Sequence, residues 1–237
     1  KFQPLPEGFA HAAAFDVADV ERMIDASTAA VLIEVVQGEG GVHPAPAGYV
    51  KDLRALCDER GVLLIVDEIQ TGLGRTGEWF GFQHSDVRPD IVTVAKALGN
   101  GMPIGACWAR EEITLVFEPG DHGSTYGGQP LATAAAKATL EALIALDAPA
   151  AARHAGDRLV KGLEALPGVS AVRGMGLLLG AELVGANAKA VNAALLDAGL
   201  VANAVTESAL RFAPPLNVSD DEIDAALAIC AEVIPNA

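Results

Sequence analysis

Runs of apolar residues and helical stripes alternate along this chain. Val31–Val36 is a β-branched apolar run broken only by Glu34, and it reads as a strand. Val62–Val66 is an unbroken apolar run and Ile91–Ala95 is one interrupted only by Thr93; each leads to one charged residue, Asp67 and Lys96. Short runs bounded by charge read as strands buried on both faces, as in a parallel sheet. Between the first two runs, Tyr49, Leu53, Leu56 and Cys57 share one helical face. Gly61 is placed to close that helix in a left-handed cap. Upstream, Asp16 can cap a short helix carrying Val17, Val20 and Ile24. Ile104–Ala109 reads as one more strand, antiparallel after so short a connection.

The pattern changes near Asp147–Pro149. Before it, a glycine-rich loop (Gly120–Gly128) opens a long alanine-rich helix, Pro130 to Leu146. After it, a helix is expected over Ala150–Leu166 and strands near Leu177–Leu183 and Leu200–Asn203, with a helix over Ala190–Ala198 between them. Leu210–Ala213 is a short strand before Pro214. Ser219 and Glu222 form a capping box for a last helix bearing Ile223, Leu227, Cys230 and Ile234. The chain therefore reads as α/β, with a large domain over 1–147 built on a mostly parallel sheet and a smaller α+β domain over 148–237.

Composition narrows the classes. Hydrophobic residues make up 51% and charged residues 20%, which suits a folded chain with a full core. The net charge of −15, from 16 Lys+Arg against 31 Asp+Glu, argues against nucleic acid or an anionic membrane as partner. No apolar run approaches a membrane span and no signal peptide is visible. Cys57 and Cys230 fall on apolar helix stripes, which points to buried thiols and a reducing, cytoplasmic setting.

The candidate chemistry sits where strands end. In open parallel sheets, ligands lie beyond the carboxyl ends of the strands. Alone, Asp67 or Lys96 reads as a solvated charge; together they suggest a site. An amine at the end of an apolar strand can form a Schiff base with a carbonyl. An acid there can keep a pyridinium nitrogen protonated. That pairing is what pyridoxal phosphate requires, and Gln70 could bond the ring oxygen. Gly72–Gly77 matches GxGxxG literally, but DEIQT separates it from the strand and no helical pattern follows. It reads as a glycine-rich turn without a dinucleotide role.

DEIQTGLGRTG, PDIVTVAKALGNGMPIGA, HGSTYGGQPLA and LRFAPPLNV, in that order, resemble the class III (omega-type) aminotransferases, within them the acetylornithine-type enzymes. The resemblance implies the fold-type-I architecture of pyridoxal-phosphate enzymes, a homodimer with shared active sites, small amino-acid and 2-oxo-acid substrates, and no metal. It implies that Lys96 is the Schiff-base lysine, Asp67 the pyridinium partner, Ile69 a residue near the ring face and Gln70 the ring-oxygen partner. Thr125 is expected to hold the cofactor phosphate of the neighbouring subunit, with Ser124 beside the substrate. By themselves those two would read as helix caps before Pro130. Arg211 is expected to grip an α-carboxylate, and Glu39 to pair with Arg211 when a distal amine reacts. Alone they would read as a strand arginine and an exposed loop acid. Family members also carry a long preceding segment with a phosphate loop, a stacked aromatic ring and a substrate arginine. The chain is thus expected to be a C-terminal part, inactive by itself.

Overall fold

The computed structural model describes residues 4–185 and 187–236. It opens with α1 (Val17–Met23), capped by the Asp16 carboxylate on the Asp19 N–H. β1 (Ala30–Ile33) follows, then a two-stranded ribbon of β2 (Val36–Gln37) and β3 (His43–Pro44). α2 (Tyr49–Arg60) ends at Gly61 in the left-handed conformation, as its sequence predicts. β4 (Leu63–Asp67) and β5 (Ile91–Val94) carry the acid and lead to the amine; β6 (Ala106–Ala109) follows. The sheet order is β1-β4-β5-β6, with the first three strands parallel and β6 antiparallel.

Two expectations about this sheet need correction. The Val31–Val36 run is not one strand. Pairing with β4 ends at Ile33, and the Val35 carbonyl instead accepts the Ala45 N–H, turning the chain into the ribbon. An apolar run records burial, and burial continues here after pairing has stopped. Nor are β4 and β5 buried on both faces. Leu64, Val66, Val92 and Val94 are buried, but the alternate Leu63, Ile65, Ile91 and Thr93 are only half-buried. α2 covers the first face of β4 through Leu53, Leu56 and Cys57.

Beyond the short α3 (Glu111–Thr114), which its sequence did not signal, α4 runs from Pro130 to Leu146 as expected. Asp147 turns the chain with positive φ into α5 (Ala148–Glu164). A second sheet follows: β7 (Val169–Met175), β8 (Leu178–Leu183), β9 (Asn203–Ala204) and β10 (Ala209–Phe212), ordered β7-β8-β10-β9 and antiparallel throughout. β7 is absent from the sequence reading because VSAVRGM has neither alternation nor an apolar run. β9 is shorter than the expected 200–203 strand, as Leu200 instead closes α6 (Ala188–Asp197) by donating to the Leu195 carbonyl. α7 (Asp220–Val233) starts with the Ser219–Glu222 capping box. Leu163, Leu179, Leu195, Leu210 and Ile223 form the centre of a core distinct from that of the first sheet.

Candidate active site

A cavity of about 850 Å³ opens between the two sheets, within the size range of small-molecule sites. Lys96 and Gln70 come to it from the first sheet, Leu143 from α4, and Arg211 and Leu216 from the second. Lys96 follows β5 directly and is exposed. Its φ is +42°, in the left-handed region that costs a non-glycine residue on the order of 1 kcal/mol or more. A 3₁₀ turn over Lys96–Leu98 holds it there, tied by the Leu98 N–H to the Ala95 carbonyl at 2.9 Å.

At the end of β4, Asp67 is half-buried and its Oδ1 accepts two hydrogen bonds. The Ile69 N–H donates at 2.9 Å and the Thr93 hydroxyl at 3.2 Å. These bonds fix the carboxylate plane and leave Oδ2 outside both. Asp67 does not itself line the cavity; Ile69 and Gln70 do.

The third group is Arg211 on β10. Its guanidinium donates to Glu39 Oε1 at 2.6 Å and to Gln70 Oε1 at 3.1 Å. The Gln70 amide nitrogen donates in turn to Glu39 Oε1 at 3.3 Å. Arg211 is 14% exposed and Glu39 71%, so the acid is an accessible cover over a largely buried cation. The Arg211 contact holds the Glu39 carboxyl below the usual glutamate range, with a smaller contribution from Lys96. Gly38 makes this approach possible, since a Cβ there would meet Gln70 Oε1 at 2.4 Å.

Structure thus brings Glu39, Gln70 and Arg211 into contact and places Ile69 and Lys96 in the same cavity. Ser124 and Thr125 are elsewhere, on an exposed loop where the Ser124 hydroxyl accepts the Gly127 N–H. Two cavity residues escaped the sequence reading. Glu68 is buried and held by the Thr71 hydroxyl and the Gly81 and Phe82 N–H groups; burial still leaves its carboxyl above the usual range. Arg75, inside GLGRTG, donates to the carbonyls of Leu177 at 3.1 Å and Pro214 at 2.6 Å, and burial lowers its guanidinium to about 10. Strand alternation past Asp67 could have flagged Glu68, whereas nothing local signals partners of Arg75 more than a hundred residues away.

Sheet order, a strand-end amine and acid, and a covered arginine place a small-molecule site between the two sheets of an α/β fold. The chain belongs to the class-III aminotransferase family, whose profile matches residues 4–234. It is 48% identical over 236 residues to the acetylornithine aminotransferase of Methanopyrus kandleri, covering 98% of this chain and 60% of that protein. Identity to the Mycolicibacterium smegmatis enzyme of the same name is 45%, over 100% of this chain and 61% of that one. The ornithine aminotransferase of Toxoplasma gondii superposes with a TM-score of 0.91 at 36% identity, over 98% of this chain and 57% of that one; that structure has pyridoxal phosphate at partial occupancy in its active site. The N-acetylornithine aminotransferase of Stenotrophomonas maltophilia gives 0.84 at 38% identity, over 93% and 60%. The chain spans about 60% of the length of the curated relatives it matches.

Proposed function

We propose that this chain carries the lysine-bearing part of an active site that moves the terminal amine of N2-acetylornithine, or a close analogue, to 2-oxoglutarate. The observation that carries this reading is the Arg211–Glu39 pair in one cavity with Lys96. An arginine that can be covered and uncovered suits an enzyme whose two substrates differ in whether an α-carboxylate must be gripped. The names of the relatives support the substrate, as does the pyridoxal phosphate in the T. gondii structure for the cofactor.

The residues fit that cofactor at its reacting end: an exposed amine for the aldehyde, and an acid oriented by two hydrogen bonds for the ring nitrogen. When bound, pyridoxal phosphate would supply a reactive aldehyde and an electron-accepting ring. Lys96 Nζ would be the group that holds the aldehyde end of the cofactor and, as general base, would move the proton at the substrate carbon. Asp67 would keep a proton on the ring nitrogen, Ile69 would pack near the ring and Gln70 would serve the ring oxygen. With Glu39 over it, Arg211 does not grip an α-carboxylate, and the terminal amine reacts. With Glu39 displaced, Arg211 holds 2-oxoglutarate through a bidentate pair. We further propose that two copies share their sites. The exposed loop would then bring Thr125 to the partner's cofactor phosphate and Ser124 to its substrate. Buried Cys57 and Cys230 suit a reducing cytoplasm, and no described helix is long and apolar enough to cross a membrane.

Lys96→Ala in the cofactor-loaded enzyme should abolish transamination and the near-visible absorbance of lysine-bound cofactor. Turnover close to wild type would end the assignment. The relatives of known structure include ornithine aminotransferases, so ornithine is the second reading. Comparing kcat/KM for acetylornithine, ornithine and 4-aminobutyrate decides between them.

A further inference from the structure

Arg173, Gly180 and Arg211 form one row across three neighbouring strands. Arg173 on β7 is the register partner of Gly180 on β8, and Gly180 is the partner of Arg211 on β10. Partners in register carry their side chains on the same face of a sheet. The row is therefore two arginines flanking a position with no side chain. The Glu39 loop rests in that gap: a Cβ on Gly180 would meet the Gly41 carbonyl oxygen at 2.9 Å and Val42 Cβ at 3.0 Å. Val42 is fully buried, packed with Val36, Leu178 and Met175.

Both arginines hold the loop. Arg211 grips Glu39, and Arg173 Nε donates to the Gly41 carbonyl at 2.8 Å. Arg173 is itself fixed by Glu182 at 2.8 Å, whose other oxygen accepts the Ser208 hydroxyl. Glu39 is exposed, and an ion pair with an exposed partner contributes little by itself. Its position over Arg211 is then set by where the loop backbone sits.

Resting on the masking reading above, we infer that Arg173 and Gly180 are positioning residues that seat the Glu39 loop on β8, and so set how readily Arg211 is uncovered. Neither residue lines the cavity; they act through Gly41. Loosening the seat favours the uncovered state, and with it ligands bearing an α-carboxylate.

The test uses Arg173→Gln, and Gly180→Ala as a second variant that leaves Arg173 in place and pushes on the Gly41 carbonyl. Single-turnover rates of the glutamate and acetylornithine half-reactions are measured in the cofactor-loaded enzyme. Binding of glutarate, a dicarboxylate with no reacting carbonyl, is measured by calorimetry. Each variant should raise the glutamate-to-acetylornithine rate ratio and tighten glutarate by about three- to tenfold, the scale of one weakened charge-assisted hydrogen bond. In a Glu39→Ala background the same substitutions should leave the ratio unchanged. Equal losses in both half-reactions, or a ratio that still shifts without Glu39, would overturn the proposal. If Glu39→Ala alone leaves the ratio unchanged, the masking reading fails and the proposal goes with it. If Glu39→Ala shifts the ratio and neither seat variant does, masking stands and the seat is refuted.

Discussion

At the residue scale, the pair of Glu39 and Arg211 has a definite pH dependence. The Arg211 hydrogen bond lowers the Glu39 carboxyl in the folded state. A depressed acid contributes its contact above the unfolded pKa and loses it as pH falls through the folded value. The cover over Arg211 should therefore persist at neutral pH and open only below the ordinary glutamate range. Carboxyl NMR of Glu39 should show a titration below that range, moving back toward it in Arg211→Gln; a midpoint unaffected by that substitution would contradict the pairing. Arg211→Ala should also slow the 2-oxoglutarate half-reaction more than the amine half. Loss of a desolvated charge pair costs about 2–5 kcal/mol where the carboxylate is gripped. Equal losses in the two halves, read by single-turnover kinetics, would argue against gating.

At the scale of elements, Asp90 joins four segments. It precedes β5, accepts the β4 Leu64 N–H at 2.6 Å, and meets Arg54 of α2 and Arg110 after β6 at 2.7 Å each. Burial pushes its carboxyl up, but the Leu64 N–H and the two guanidiniums outweigh this and hold it below its usual value. Asp90→Asn would leave the mostly buried Arg54 with the exposed Asp58 as its remaining ionic partner. Breaking a buried pair on one side costs about 3–5 kcal/mol, and urea unfolding at neutral pH should show a loss of that order. The difference from wild type should shrink as pH falls through the folded pKa, because protonation neutralises the same carboxylate. At α7, Ser219→Ala should cost about 1 kcal/mol by removing the side-chain cap on the Glu222 N–H. A change within error in the same assay would mean that α7 is held by Ile223 and Cys230 packing alone.

For the whole molecule, GLGRTG is the tie between the two sheets. Arg75 bonds the Leu177 and Pro214 carbonyls, and the Leu177 N–H returns a bond to the Arg75 carbonyl at 2.9 Å. Burial lowers the guanidinium to about 10, so it remains charged at neutral pH. Hydrogen bonds to a charged group contribute about 1.5–3 kcal/mol each. Arg75→Met keeps much of the volume and removes both bonds. The expected result is weaker coupling of the two sheets, seen in calorimetry as a broadened or split transition, with faster proteolysis near Gly72–Gly77. A single transition at the wild-type temperature would show that the remaining contacts, among them the Leu177 N–H to the Arg75 carbonyl, hold the sheets together without the guanidinium.

Local pattern determined much of this protein. Strands leading to Asp67 and Lys96, helix limits at Pro130 and Leu146, and caps at Asp16, Gly61 and Ser219 all follow from turn chemistry and periodicity, which act over a few residues. Side-chain identities at Glu39, Gln70 and Arg211 pointed to a site once the four motifs were seen in order. What only the tertiary structure decided is where distant residues meet. Burial cannot be told from pairing in one dimension, so Val31–Val36 looked like a single strand. β7 had no pattern because its register with β8, and not its own sequence, makes it a strand. Arg75, Asp90 and Arg173 carry no local signal of their roles in the sequence. Their partners lie at sequence distances of up to 139 residues, and burial among those partners is what gives each charge its role.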